Sequence, residues 1–385
     1  MSFISQKVKI IPPYIFSEIN RKKTEMKDKG IDVIDLGIGD PDLSTPQPII
    51  DKLIDEMQDQ RNFKYSNYSG CLEFREAVSS HYQKQYGVVL DPETEVLTLI
   101  GSKEGIANLV PTLVDPGNYV LVPNPSYGVY RMAAQLAGSH AYSMPINKEN
   151  NFKPELNTLP DYIKKQAQLM FLNYPSNPTS AIVGLEFFNE AVQFAKENKI
   201  PIAHDFAYNK ITFKEPAPSI LEADGAKDTA IEFGSLSKSY NMTGWRIGYA
   251  VGNKEIIRAL STIKSNTDTS QFLPIQKAAA YALNMDQTIV NKNVEIYCNR
   301  MNTFVEGLNS LGFDVIPPDG SFFVWFPVLK NYTSESFTNE VLEQCGVVLT
   351  PGSAFGSSGE GYVRASLTHS VERLEEVIDR FRRIL

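Results

Sequence analysis

Hydroxyl, amine and guanidinium groups are crowded into Ser235-Leu236-Ser237-Lys238-Ser239-Tyr240-Asn241-Met242-Thr243-Gly244-Trp245-Arg246. Apolar runs flank the stretch, Ala230 to Phe233 before it and Ile247 to Val251 after it. A lysine amine on a strand-to-loop turn, among hydroxyls and near a guanidinium, suits a Schiff-base lysine beside a bound phosphate. To attack a carbonyl the amine must lose its proton, and partial burial with a neighbouring cation promotes that loss. Arg246 offers the two-pronged fork that grips a phosphate. An ordinary surface lysine is the commoner use of this residue, so the chemistry needs partners elsewhere in the chain.

Those partners must be positioned by regular elements. Short runs at Val96–Ile100, Tyr119–Val122, Ala141–Met144, Leu169–Leu172, Ile200–Ala203, Ala230–Phe233 and Ile247–Val251 are apolar on both faces. Helix-length segments separate most of them. The pattern predicts an α/β fold, with a mostly parallel seven-stranded sheet between helices. In such sheets ligands bind beyond the carboxyl ends of the strands.

Each of these ends closes on a polar group. Gly101-Ser102-Lys103-Glu104-Gly105 opens a helix whose free amides and positive dipole end suit an anion, with Ser102 adding a hydroxyl. Tyr127 follows Pro123-Asn124-Pro125-Ser126, at the edge where it can stack on a planar ring. The proline-punctuated turn Asn173-Tyr174-Pro175-Ser176-Asn177-Pro178-Thr179 presents Asn177. In His204-Asp205-Phe206-Ala207-Tyr208 the carboxylate suits a protonated ring nitrogen and the phenol a ring oxygen. Arg364, after Val363, suits a substrate carboxylate. Each has a plainer reading: a helix cap, a core tyrosine, a turn asparagine, a capping aspartate, a surface ion pair. Taken together they are the groups that one cofactor with a ring and a phosphate would use.

Composition bounds the alternatives. The chain has 385 residues, 42% hydrophobic and 21% charged, as in a soluble globular enzyme. A formal charge of −8 and an isoelectric point near 5.3 argue against a nucleic-acid surface. Cys71, Cys298 and Cys345 are scattered and form no CxxC pair, so neither a disulfide framework nor a metal site is expected. No apolar run reaches membrane-spanning length, and Met1 to Ile10 lacks the apolar core of a signal peptide. A cytoplasmic protein is expected, with the sequons at Asn67, Asn241 and Asn331 as chance matches. Gly37-Ile38-Gly39 lacks the third glycine of a dinucleotide loop and runs into Pro41, and no GxxxxGK[ST] occurs.

A second pattern surrounds this core. A helix to about Lys29, stopped by Gly30, precedes a short strand into the Gly37–Pro41 turn, and Pro46 to Gln58 reads as a helix. After Gln276 helical sequence runs past Arg300. Phe313–Ile316, Phe322–Trp325, Val347–Leu349 and Tyr362–Leu367 read as strands, and a terminal helix starts near Val371. The division expected is a large domain at 45–287 and a smaller α+β domain formed by 1–44 and 288–385.

With these residues assembled, the chain resembles the class I/II aminotransferases of the pyridoxal-phosphate fold-type I group over nearly its whole length. The phrases that carry the likeness, in family order, are Tyr65-Ser66-Asn67-Tyr68-Ser69-Gly70 with Leu72-Glu73-Phe74-Arg75-Glu76-Ala77, Gly101-Ser102-Lys103-Glu104-Gly105, Asn173 to Thr179, and His204 to Tyr208. Ser235-Leu236-Ser237-Lys238, Gly244-Trp245-Arg246-Ile247-Gly248 and Val363-Arg364-Ala365-Ser366 complete it. The resemblance implies pyridoxal 5′-phosphate as cofactor. Lys238 is then the Schiff-base lysine that also shuttles the proton. Asp205 pairs with the ring nitrogen, Tyr208 and Asn177 bond the phenolic oxygen, and Tyr127 stacks on the ring. Ser102, the Lys103 amide, Ser235, its neighbour Ser237 and Arg246 surround the phosphate. Tyr65 matches a tyrosine that reaches the phosphate of the neighbouring subunit, which implies a homodimer with shared active sites. Arg364 matches the arginine for the substrate's α-carboxylate, assisted by Gly39 and Asn177. The implied reaction is a two-stage transfer of an amino group between an amino acid and a 2-oxo acid.

Two positions depart from the family's pattern. Ser180 stands where the family often has glycine. In Lys264-Ser265-Asn266-Thr267-Asp268-Thr269-Ser270, Asn266 occupies the place of an arginine that dicarboxylate-specific members use. A strict aspartate preference is therefore not expected. This loop, Pro13-Tyr14, the Leu36–Leu43 segment and Gly101-Ser102-Lys103-Glu104-Gly105 look most like the LL-diaminopimelate aminotransferase branch, which would make Tyr14, Lys103 and Asn266 readers of the substrate's far end. A broader transaminase for methionine, alanine or aromatic substrates is the alternative, and a carbon–sulfur β-lyase on the same fold another. A cofactor-sensing regulator would need a fused DNA-binding segment, for which the N-terminal arm is too short.

Overall fold

The computed structural model describes residues 3–9, 11 and 15–384, without the side chains of residues 6 and 15–20. Its strands in chain order are β1 (Ile34–Asp35), β2 (Val96–Leu99), β3 (Tyr119–Asn124), β4 (His140–Pro145), β5 (Ala167–Asn173), β6 (Ile202–Asp205), β7 (Ala230–Ser235), β8 (Gly248–Gly252), β9 (Phe323–Pro327), β10 (Val347–Val348), β11 (Thr350–Pro351) and β12 (Tyr362–Ser366). The large sheet has the order β2-β8-β7-β6-β5-β3-β4. Neighbours from β4 across to β7 are parallel, and β8 is antiparallel to both β7 and β2. All seven sequence-derived runs are strands of this sheet, and it is the mostly parallel sheet expected.

Burial on both faces explains the near-continuous apolar runs. One face packs Met170, Leu172, Ile202 and Val251 against helices that include Leu72–Tyr86, Leu185–Asn198 and Leu273–Asn284. The other packs Leu97, Leu99, Phe171, Ala203, Ile231 and Phe233 against Ser102–Leu113, Val129–Ala137 and Lys254–Ser265. The register brings three strand ends together: Asn173 lies opposite Asp205, Asp205 opposite Phe233, and Ser235 opposite Gly248.

A second apolar core joins Ile34 and Leu36 to residues from Met301 to Phe381. It contains the antiparallel sheet β11-β12-β9 and the parallel pair β1–β10. The terminal helix Val371–Phe381 buries Leu374, Val377, Ile378 and Phe381, at the spacing of one helical face. Each such burial contributes roughly 1.5–3 kcal/mol. The strand expected at Phe313–Ile316 is irregular chain instead. Phe313 and Val315 are buried, but the Asn309 side chain takes the place of a neighbouring strand, accepting from Val315 N and donating to Val315 O, both at 2.9 Å. No helix among the described residues is long and apolar enough to cross a membrane.

Candidate active site

Asp205 ends β6 and is buried. Tyr130 donates a hydrogen bond of 2.7 Å to its Oδ2. Oδ1 has no partner of good hydrogen-bond geometry among the described residues, although the Ala207 amide lies close enough to favour the carboxylate. Burial pushes the Asp205 carboxyl above the ordinary carboxylate value, and the Tyr130 bond and the nearby His204 oppose that rise. Asn173, at the end of β5, donates to Asp205 O at 2.7 Å and accepts from Asn177 N at 2.8 Å. One asparagine thus locks the two neighbouring strand ends and orients the Asn177 turn. Tyr130 stacks flat on Phe171, with ring centroids 4.7 Å apart, and meets Tyr127 edge to face. Sequence reading passed over Tyr130 and Asn173. The tyrosine signal was present: Tyr130 lies three residues beyond Tyr127, in the first turn of the helix Val129–Ala137.

Lys238 sits in the short helix Leu236–Ser239, which Ser235 caps by accepting from Ser237 N. Its Nζ donates to Gly39 O at 2.6 Å. Burial brings the amine down to about 8; Asp40 opposes this, while Arg364 and Arg246 add to it. Roughly a tenth of the amine is therefore unprotonated at pH 7, far more than in an ordinary lysine, and this is the form that attacks a carbonyl or removes a proton. Gly39 has no room for a side chain, because a Cβ there would lie 2.6 Å from the Phe323 ring. Close packing against that ring accounts for the second glycine of Gly37-Ile38-Gly39, where a dinucleotide loop was rejected.

A cradle for an anion forms where β2 turns into the helix Ser102–Leu113. Gly101 has φ 74°, a conformation that favours glycine, and lies directly against the Arg246 guanidinium. Arg246 is exposed and itself has φ 53°, a conformation supported by Gln271, whose Nε2 donates to Arg246 O at 2.6 Å and also to Leu99 O. The β8 backbone closes the other side: a Cβ on Gly248 would lie 2.9 Å from Ser102 N. Helix-terminal amides, the Ser102 and Ser235 hydroxyls and a guanidinium make a donor set suited to a phosphate.

Arg364, on β12, reaches from the small sheet to the large one. It donates to Asn177 Oδ1 at 2.7 Å and to Gly37 O at 2.6 Å. Its guanidinium lies between the rings of Phe323 and Phe355, 4.3 and 4.8 Å from their centroids. Tyr208 is buried against Phe322 and Phe323, and burial raises its phenol, so it remains a hydrogen-bond donor. Ser180, the residue in the glycine position, adopts φ 58°, the left-handed conformation open to glycine. Its hydroxyl donates to Phe323 O at 2.8 Å and meets Ser321 Oγ at 2.5 Å, which ties the turn to β9.

Asp205, Tyr208, Asn177, Lys238, Ser235, Ser237, Ser102, Tyr127, Arg246, Gly39 and Arg364 thus surround one region at the carboxyl edge of the sheet. Lys103 is exposed; Tyr65 is 88% exposed, and Asn266 is exposed with its amide donating to Thr262 O at 2.8 Å. Tyr14 lies outside the described residues.

The sheet order and these strand ends define a fold-type I transferase of the pyridoxal-phosphate-dependent kind. The model of the aminotransferase class I and II family matches residues 31–381, and the chain belongs to that family. It is an aminotransferase, moving an amino group between an amino acid and a 2-oxo acid, and the family implies pyridoxal phosphate as its cofactor. It is 47% identical to the LL-diaminopimelate aminotransferases of Moorella thermoacetica and of Aquifex aeolicus, in each case over 99% of this chain and 98% of the relative. Among solved structures, apo-BacF from Bacillus subtilis superposes with a TM-score of 0.97 at 36% identity, covering 100% of this chain and 98% of that one. An aminotransferase from Staphylococcus aureus gives 0.92 at 33% identity, with 99% of both chains covered.

Proposed function

We propose that the amino donor is LL-diaminopimelate, the acceptor 2-oxoglutarate, and the cofactor pyridoxal phosphate held at the carboxyl edge of the large sheet. One observation carries the cofactor: the buried Asp205 Oδ1, at a strand end, whose best complement is a protonated ring nitrogen. Bound there, pyridoxal phosphate supplies an electron-withdrawing ring that acidifies the substrate's Cα–H. Asp205 pairs with the protonated ring nitrogen, and the Tyr130 bond favours its carboxylate form. Tyr208 and Asn177 donate to the ring oxygen, Tyr127 covers one face, and the Gly101–Ser102 turn with the Lys103 amide, Ser235 and Arg246 receives the phosphate. Ser237 supports that cradle by donating its backbone N–H to Ser235 Oγ.

Lys238 accepts the α-proton as a free amine and can return it two bonds further along, to the carbon beyond the amino nitrogen. Arg364 clamps the α-carboxylate, with Asn177 and the Gly37–Gly39 backbone fixing its orientation. The aromatic wall of Phe322 and Phe323 excludes water from this end. The substrate choice rests on relatives 44–48% identical over nearly the whole chain that carry that activity in their names. A far end bearing both an ammonium and a carboxylate suits a neutral amide such as Asn266, with Tyr14 and Lys103 as further readers.

The exposure of Tyr65 and Asn266 supports a homodimer in which each reaches the neighbour's site, and the two apolar cores support a division into 45–287 against 1–44 with 288–385. The test is a panel of single half-reactions, followed by loss of the cofactor's visible absorbance. LL-diaminopimelate and glutamate should react fast, and aspartate, alanine, methionine and phenylalanine slowly. Fast reaction with methionine or alanine and none with diaminopimelate would sink the substrate assignment and leave the family intact.

A further inference from the structure

Lys264 is a lysine with no solvent exposure, at the end of the helix Lys254–Ser265. Its Nζ lies 2.7 Å from Asp268 Oδ1 and 3.4 Å from Glu104 Oε2. Burying an ammonium carries a desolvation penalty, and an apolar residue of similar length would fill the space at less cost. The charge must therefore do something that packing would not.

What it joins is specific. Glu104 lies in the first turn of the helix Ser102–Leu113, and its Oε2 also accepts from Ile100 N at 3.1 Å. That carboxylate thus spans the strand-to-helix turn from Ile100 to Ser102, the floor of the anion cradle. Asp268 Oδ1 also accepts from Ser270 N at 2.8 Å, shaping the loop that carries Asn266, and its Oδ2 is buried without a hydrogen-bond partner among the described residues. A second bolt runs alongside: Gln271 ties the end of that loop to the carbonyls of Leu99 and Arg246. Gln276 continues it, donating to Gln271 O and Ser66 Oγ and accepting from Cys71 N, next to the segment that carries Tyr65.

We propose that Lys264 is a positioning residue that holds the phosphate-receiving turn and the Asn266 loop in one register through a single amine shared by Glu104 and Asp268. Phosphate grip and recognition of the substrate's far end are thereby set together. The inference rests on the cofactor reading above, and its test separates the two.

The dissociation constants of pyridoxal phosphate and of pyridoxal, which lacks the phosphate, are measured by absorbance titration for the wild type, K264M and E104Q, together with melting temperatures. K264M is expected to bind pyridoxal phosphate about tenfold more weakly, a loss typical of removing an outer-layer partner. Its affinity for pyridoxal should change little, and its KM for the amino donor should rise more than its kcat falls. E104Q should shift the same way by less, and it decides the matter where K264M does not fold. Equal losses for both ligands, or a lower melting temperature with both affinities intact, would overturn the assignment by reducing Lys264 to a general structural role. A wild type that binds pyridoxal phosphate no more tightly than pyridoxal would instead overturn the cofactor reading.

Discussion

Tyr130 and Asp205 share a 2.7 Å hydrogen bond at the centre of the site, and that bond occupies one carboxylate oxygen while the other lies near the Ala207 amide, with no partner of good hydrogen-bond geometry among the described residues. Burial raises the Asp205 carboxyl, and the phenol acts against the rise. Y130F removes the opposing effect, so the carboxyl moves further up. Ionised Asp205 is the useful form, so the acid limb of kcat/KM should move to higher pH. Losing a hydrogen bond to a charged group should also lower kcat/KM by about tenfold or more. In the cofactor-free protein the raised carboxyl favours folding at low pH, an advantage lost as pH rises through its folded value; in Y130F that loss falls at higher pH. An acid limb unmoved in pH-dependent kinetics would count against this account.

Lys238 carries the proton transfer. K238A should lower turnover by about three orders of magnitude or more, the scale expected of a lost general base and nucleophile. A separate signature lies in stability. The amine titrates at about 8 in the fold against 10.5 ordinarily. Between those values the unfolded chain binds more protons, so the cofactor-free wild type should gain stability as pH rises through that window. K238M should lack this gain. Urea melts at several pH values give the comparison.

Arg364 is held by Asn177 and Gly37 and sandwiched between two rings, a setting that matches a planar guanidinium. Lysine cannot reproduce the fork or the stacking. R364K should reduce kcat/KM by about a hundredfold, mainly through KM. A loss confined to kcat in steady-state kinetics would remove Arg364 from carboxylate binding.

Ser180 presents a balance that urea unfolding can read. S180G relieves a left-handed backbone, worth up to about 1 kcal/mol, but leaves Phe323 O and Ser321 Oγ short of a buried partner, costing about 1–3 kcal/mol. Net destabilisation by about 1 kcal/mol is expected. A stabilised S180G would show that strain, not the hydroxyl, dominates there.

The sheet was legible because its strands are buried on both faces, which makes the apolar runs unbroken, and because polar residues cluster beyond their ends. The same logic misread Phe313–Ile316. Those residues are buried as a strand's would be, but Asn309 satisfies the backbone that a neighbouring strand would have satisfied. Gly37-Ile38-Gly39 lacks the pattern of a dinucleotide loop, and the reason for Gly39 lies in Phe323, far along the chain.

Sequence alone determined the α/β class, the order of the strand ends and the residue types gathered there, since these follow from local periodicity and from motifs a few residues long. Tertiary structure decided how those residues are tuned. Tyr130 meets Asp205 across 75 positions, Lys264 meets Glu104 across 160, and Arg364 meets Asn177 across 187. Charge state and geometry depend on burial and on partners brought close by packing, which no local pattern encodes.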